Sequence, residues 1–214
     1  MTLNLYKALH VVRTVAIATA AAVGLVVAGH CAAAQISVSV KDQNGQPVAD
    51  TVVYANIISG TAPNRPKREI SIEQINKEFV PLVSVIQTGT LVNFPNRDKV
   101  RHHVYSFSPI KAFELKLYAG TPSNPVVFDK PGIAVLGCNI HDSMVAWVVV
   151  VETPYYGQTA ATGKLRLDNV PPGNYRLRTW HPDMPTGAAA IDQAVVLPAA
   201  TAAAVVTVRL APAG

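Results

Sequence analysis

Short runs rich in valine, isoleucine, threonine and aromatics, set between glycine, proline and asparagine punctuation, constrain the fold of this chain more than any other feature. They include Ile36 to Val40, Val48 to Tyr54, Phe79 to Gln87, Val100 to Phe107, Val126 to Asp129, Met144 to Glu152, Lys164 to Leu167, Tyr175 to Trp180 and Ala203 to Leu210. Helical periodicity is scarce outside the first segment, so the spacing predicts an all-β sandwich. Val145 to Val151 is apolar on both faces and is expected to be a central strand covered on each side. Asn44-Gly45 and Pro171-Pro172-Gly173 mark tight turns, and the alanine run Ala199 to Ala204 is expected to be a loop entering the last strand.

The first residues have a different character. Lys7 and Arg13 precede an apolar run from Thr14 to Gly29, and Ala32-Ala33-Ala34 precedes the polar Gln35. This is the plan of a secretory signal peptide, and the run is short for a bilayer crossing of about 20 residues. Export to the periplasm is therefore expected, with cleavage after Ala34. Cys31 follows His30, which is too bulky for the small residue expected before a lipid-modified cysteine, so Cys31 is read as part of the discarded peptide.

Removal of Lys7 and Arg13 takes the formal charge from +5 to +3, and no basic cluster remains that would argue for nucleic acid. The exported chain keeps one cysteine, Cys138, which excludes an internal disulfide. A free thiol in an oxidising compartment calls for burial or a bound metal.

Cys138 opens the segment Cys138-Asn139-Ile140-His141-Asp142-Ser143-Met144, which places a thiolate, an imidazole and a thioether on one short loop. With a second histidine, that set meets the needs of a single copper ion: two imidazoles and a thiolate in a trigonal arrangement, with a weak axial methionine. The second histidine is His102 or His103. Strand alternation puts His102, Val104 and Ser106 on one face and His103, Tyr105 and Phe107 on the other, and hydrophobicity alone turns His103 inward. A binuclear centre would need another thiolate in the loop. His181, between Trp180 and Pro182, reads as a turn or surface residue, and Asp142 as a solvated loop residue.

From Gly89 to Glu152 the chain resembles the blue-copper cupredoxins, amicyanin and plastocyanin above all. The resemblance is carried by Gly89-Thr90-Leu91-Val92-Asn93-Phe94, by His102-His103-Val104, by Phe128-Asp129-Lys130-Pro131-Gly132 leading to Cys138, and by Cys138-x2-His141-x2-Met144 before a valine-rich strand. It implies a Greek-key cupredoxin β-sandwich in which His102, Cys138, His141 and Met144 bind copper. His103 then stands where the family has an asparagine that braces the ligand loop, and Ile140 where it usually has a proline. Arg101 to Ser108 and Gly137 to Asp142 also resemble exported proteins associated with methylamine utilisation.

Ile36 to Val48 and Gly163 to Tyr175 resemble two ends of carboxypeptidase-regulatory-like β-sandwich domains, which implies an additional sandwich segment. The organisation expected is a signal peptide over 1–34, a copper-binding unit over 35–152 whose first strands (35–62) can pair with the C-terminal unit, and a β-rich unit over 153–214. The resemblance implies a one-electron carrier and not an enzyme, exchanging electrons with a c-type cytochrome or an amine dehydrogenase. No Ser-His-Asp set, catalytic carboxylate pair or phosphate-cradling glycine loop is evident in the sequence. The rival expectations are a copper-delivery protein and a non-redox β-sandwich interaction module. Mass measurement of periplasmic material is expected to return a chain beginning at Gln35, and a mass that retains residues 1–34, or a lipid on Cys31, contradicts the cleavage reading.

Overall fold

Alternation of side chains governs how the strands are used. The computed structural model describes residues 34–59, 68–185, 190–198 and 203–210, so the expected signal peptide lies outside the described residues except for Ala34, as do 60–62 of the first segment and 199–202 of the alanine run. Every element among the described residues is a β-strand. No helix there is long and apolar enough to cross a membrane.

The chain begins with β1 (Ala34–Lys41) and β2 (Val52–Ile57). It continues through β3 (Glu69–Ser71), β4 (Glu73–Ile75), β5 (Glu78–Val80), β6 (Val83–Gln87), β7 (Thr90–Asn93) and β8 (His102–Ser108). There follow β9 (Lys111–Tyr118), β10 (Val126–Phe128), β11 (Gly132–Gly137) and β12 (Val145–Val151). The last strands are β13 (Tyr156–Gln158), β14 (Lys164–Val170), β15 (Gly173–Trp180), β16 (Ile191–Leu197) and β17 (Ala203–Arg209).

Two sandwiches result, one threaded into the other. In the first, the sheets β14-β1-β17 and β13-β2-β15-β16 face each other. β1 buries Ile36, Val38 and Val40 while Ser37 and Ser39 stay partly exposed, the period of two that a half-buried strand requires. These side chains join Val53, Ala55, Tyr175, Leu177, Leu197, Val206 and Val208 in one core. β1 runs antiparallel to β14 and parallel to β17, so the first and last described strands are neighbours.

The second sandwich, inserted between β2 and β13, pairs the sheet β10-β7-β3 with the five-stranded sheet β6-β12-β11-β8-β9. Its core holds Ile72, Phe94, Val104, Phe128, Leu136, Val148 and Val150, together with Cys138 and Met144. β12 lies between β6 and β11, as its apolar sequence predicts. Ala146, Val148 and Val150 enter this core, while Val149 and Val151 pack with Val52, Val83 and Trp180 in a separate cluster that joins the two sandwiches.

Some boundaries differ from the sequence reading. Phe79 to Gln87 divides into β5 and β6 around Pro81, which lacks a ladder donor. Ala203 and Ala204 already belong to β17 rather than to a loop, because they pair with Gln35 and Ile36 of β1. β9, at the edge of its sheet, is absent from the runs read from the sequence, although Phe113, Leu115 and Leu117 alternate with Glu114 and Lys116, and Phe113, Leu115 and Tyr118 pack half-buried against the core.

Leu136 is fully buried at the centre of the inserted core, and Phe107 is 80% exposed. Leu136→Ala is expected to cost about 2–5 kcal/mol of unfolding free energy, whereas Phe107→Ala should stay within about 0.5 kcal/mol. Urea denaturation of both variants checks the contrast.

Candidate metal centre

β11 and β12 form a hairpin whose last pairs, Leu136 with Ala146 and Gly137 with Val145, close the loop that starts at Cys138. β8 lies antiparallel to β11, with Tyr105 opposite Gly137, and this brings the first residue of β8, His102, against that loop. The Met144 N–H donates to the His141 carbonyl at 2.9 Å and turns the loop back into β12. Two strand pairings and one turn therefore gather side chains that are distant in sequence.

One donor atom from each of His102, Cys138 and His141 lies within 4.8 Å of the others. His102 Nδ1 is 4.0 Å from Cys138 Sγ, and the His102 and His141 rings stand 5.1 Å apart at 63°. His102 is fully buried, Cys138 is a free buried thiol, and His141 is half-buried. Met144 is 1% exposed, in the same apolar cluster as Cys138.

His141 Nδ1 is buried and has no hydrogen-bond partner. Leaving such an atom unsatisfied costs roughly 1–3 kcal/mol, and a bound cation removes that cost. His102 shows the complementary arrangement: its Nε2 is 2.7 Å from Asp98 Oδ2, and a proton on Nε2, the tautomer a carboxylate selects, leaves the Nδ1 lone pair toward Cys138. Two imidazole nitrogens and a soft sulfur in an apolar shell fit copper.

Asp98, which the sequence reading did not single out, lies four residues before His102 and pairs with its ring. Its carboxyl lies below the ordinary value of 3.8: burial alone would raise it, but hydrogen bonds from the Lys77 N–H, His102 and the Asn76 N–H outweigh that effect. Asp98 thus supports folding fully above its unfolded value, and the support is lost as pH falls through the lower folded value. Tyr118, opposite His102 on β9, is pushed up to about 12, chiefly by burial, with a hydrogen bond from Gln74 acting the other way and the charge of Cys138 adding to the rise.

The histidine pair is divided between two faces. His102, Val104 and Ser106 point into the core, and Phe107 points to solvent, so the inward orientation of His103 suggested by hydrophobicity is reversed. His103 packs edge-on against Tyr105 with its Nε2 3.0 Å from Glu114 Oε1, and so faces β9 instead of bracing the ligand loop. The β8–β9 pairing shifts register between His102 and Val104, with His102 opposite Tyr118 and Val104 opposite Leu115. Asp142 is exposed. His181 lies in the turn after β15, its Nδ1 accepting the Asp183 N–H at 3.2 Å.

No family model and no curated protein matches the sequence. Among solved structures, the chain is similar to a purple cupredoxin from Nitrosopumilus maritimus, at 25% identity and a TM-score of 0.35 over 40% of this chain and 100% of that one. The likeness is to cupredoxins. An amicyanin variant in its reduced Cu(I) form is 19% identical, with a TM-score of 0.36 over 46% of this chain and 99% of its own. A copper-containing nitrite reductase from Thermus scotoductus SA-01 is 23% identical, with a TM-score of 0.38 over 45% of this chain. The chain spans only 25% of that reductase.

His102→Ala is expected to lower copper retention far more than His103→Ala, since only the first removes a donor nitrogen from the cluster. Metal analysis after dialysis against a chelator measures both, and the reverse order would move the site to the other face of β8.

Proposed function

We propose that this chain is an exported one-electron carrier that binds a single copper ion through His102, Cys138, His141 and Met144. The observation that carries the reading is the clustering of donor atoms from His102, Cys138 and His141 within 4.8 Å of one another, with a buried Nδ1 on His141 that has no hydrogen-bond partner. Copper in such a donor set supplies a one-electron couple between Cu(II) and Cu(I). The protein contributes a donor set built on a strand pairing and a short loop, with His102 held by a carboxylate and Cys138 and Met144 packed in the core.

The loop also provides the contact surface. His141 is half-buried, and Ile140 beside it is 46% exposed, so an apolar partner surface docks there close to the donor atoms. A c-type cytochrome or an amine dehydrogenase suits this role.

Addition of Cu(II) to the metal-free exported protein is expected to produce an intense visible band from thiolate charge transfer, absent in Cys138→Ser. Met144→Gln is expected to keep the copper and lower the reduction potential, because a harder oxygen ligand favours Cu(II). Weak colour with copper released on reduction would point to metal delivery, and no uptake at all to a non-redox interaction module.

A further inference from the structure

Asp98 is anchored from a part of the fold that contributes no donor to the metal cluster. Its Oδ1 accepts the Asn76 N–H at 2.7 Å, and its Oδ2 accepts the Lys77 N–H at 2.9 Å as well as facing His102 Nε2. Asn76 and Lys77 are the two-residue turn between β4 and β5, and both adopt positive φ, 55° and 62°. Such a turn aims successive N–H groups at one point and makes a small anion cradle.

The rest of the loop is tied down with equal care. The Asp98 N–H donates to Asn96 Oδ1 at 2.9 Å, and the Asn96 amide donates to the carbonyls of Val100 and Tyr118 at 2.8 and 3.0 Å. Arg97, between them, reaches Glu73 of β4 at 2.9 Å. The carboxylate is therefore held on both oxygens before any metal binds, and its side chain is 14% exposed.

We propose that Asp98 is the positioning residue of the centre: it holds His102 with Nδ1 bare toward Cys138, and its charge lowers the reduction potential of copper bound there. The proposal rests on the copper reading above. A neutral acceptor would orient the imidazole equally well, but a carboxylate also makes the ring a stronger donor and favours the more highly charged metal state. Asp98→Asn keeps one acceptor oxygen, which serves His102 Nε2 and the Lys77 N–H, and removes the charge together with the acceptor of the Asn76 N–H; Asp98→Ala removes every acceptor.

The experiment uses the exported protein, metal-free and copper-loaded. In the metal-free form, long-range nitrogen–proton NMR of the imidazoles should show His102 with its proton on Nε2 in the parent and Asp98→Asn, and a mixture of tautomers in Asp98→Ala. In the loaded form, Asp98→Asn should keep the visible thiolate band and raise the potential in voltammetry, by about 59 mV for each tenfold loss of preference for Cu(II) over Cu(I). Asp98→Ala should in addition weaken copper binding by about 10–100-fold in competition with a chelator. If the alanine variant does not fold, the asparagine variant decides the question. An unchanged potential in Asp98→Asn, or a parent His102 protonated on Nδ1, overturns the proposal. Parent protein lacking the visible band would defeat the electron-carrier reading instead, while the tautomer measurement still judges Asp98.

Discussion

The pairing of β8 with β11 is the contact on which the candidate metal centre depends. The approach is close at Gly137, where a Cβ would stand 2.7 Å from Cζ of Tyr105 and the end of that ring would have to move. With glycine, Tyr105 sits opposite Gly137, and His102, three residues back along β8, meets Cys138, one residue onward from β11.

Polar donors are then enclosed in an apolar shell, an arrangement that has a cost. Fully buried His102 and buried Cys138 adjoin Met144, Phe94 and Val104, so each ring nitrogen needs a partner. Asp98 provides one for His102, and the cradle that holds Asp98 places Asn76 and Lys77 in a backbone region that disfavours side chains by roughly 1–2 kcal/mol each. Strain of this kind persists where surrounding hydrogen bonds over-determine it, and here it lies at the outer edge of the candidate site.

The insertion explains the otherwise puzzling apolar character of β12. A strand at the face of an isolated sandwich would alternate, yet Val149 and Val151 are as buried as Val148 and Val150. The cluster they form with Val52 and Trp180 lies between the two sandwiches, and Trp147 stands 6.4 Å from Trp180 across it. One strand thus contributes to two cores, and movement of its register would disturb both the junction and the closure of the ligand loop at Gly137 and Val145.

The sequence by itself determined the class of fold and the chemistry of the loop. Alternating apolar residues between turn signals bury one face as strands, and a cysteine, a histidine and a methionine at spacings of three supply three of the donors that a copper-type set needs, the fourth being a histidine from elsewhere. Which of His102 and His103 lies beside Cys138 and His141 comes only from the tertiary structure. Alternation sorts neighbours onto opposite faces but does not say which face is inside, and the hydrophobic ranking of Tyr105 and Phe107 over Ser106 pointed the wrong way. The surroundings of Asp98 likewise come from long-range contact, since the turn that cradles its carboxylate is 21 and 22 residues away along the chain. Local pattern reports what a segment can bury or bind; the partner that makes a particular side chain useful comes from a distant strand, and only the folded chain brings the two together.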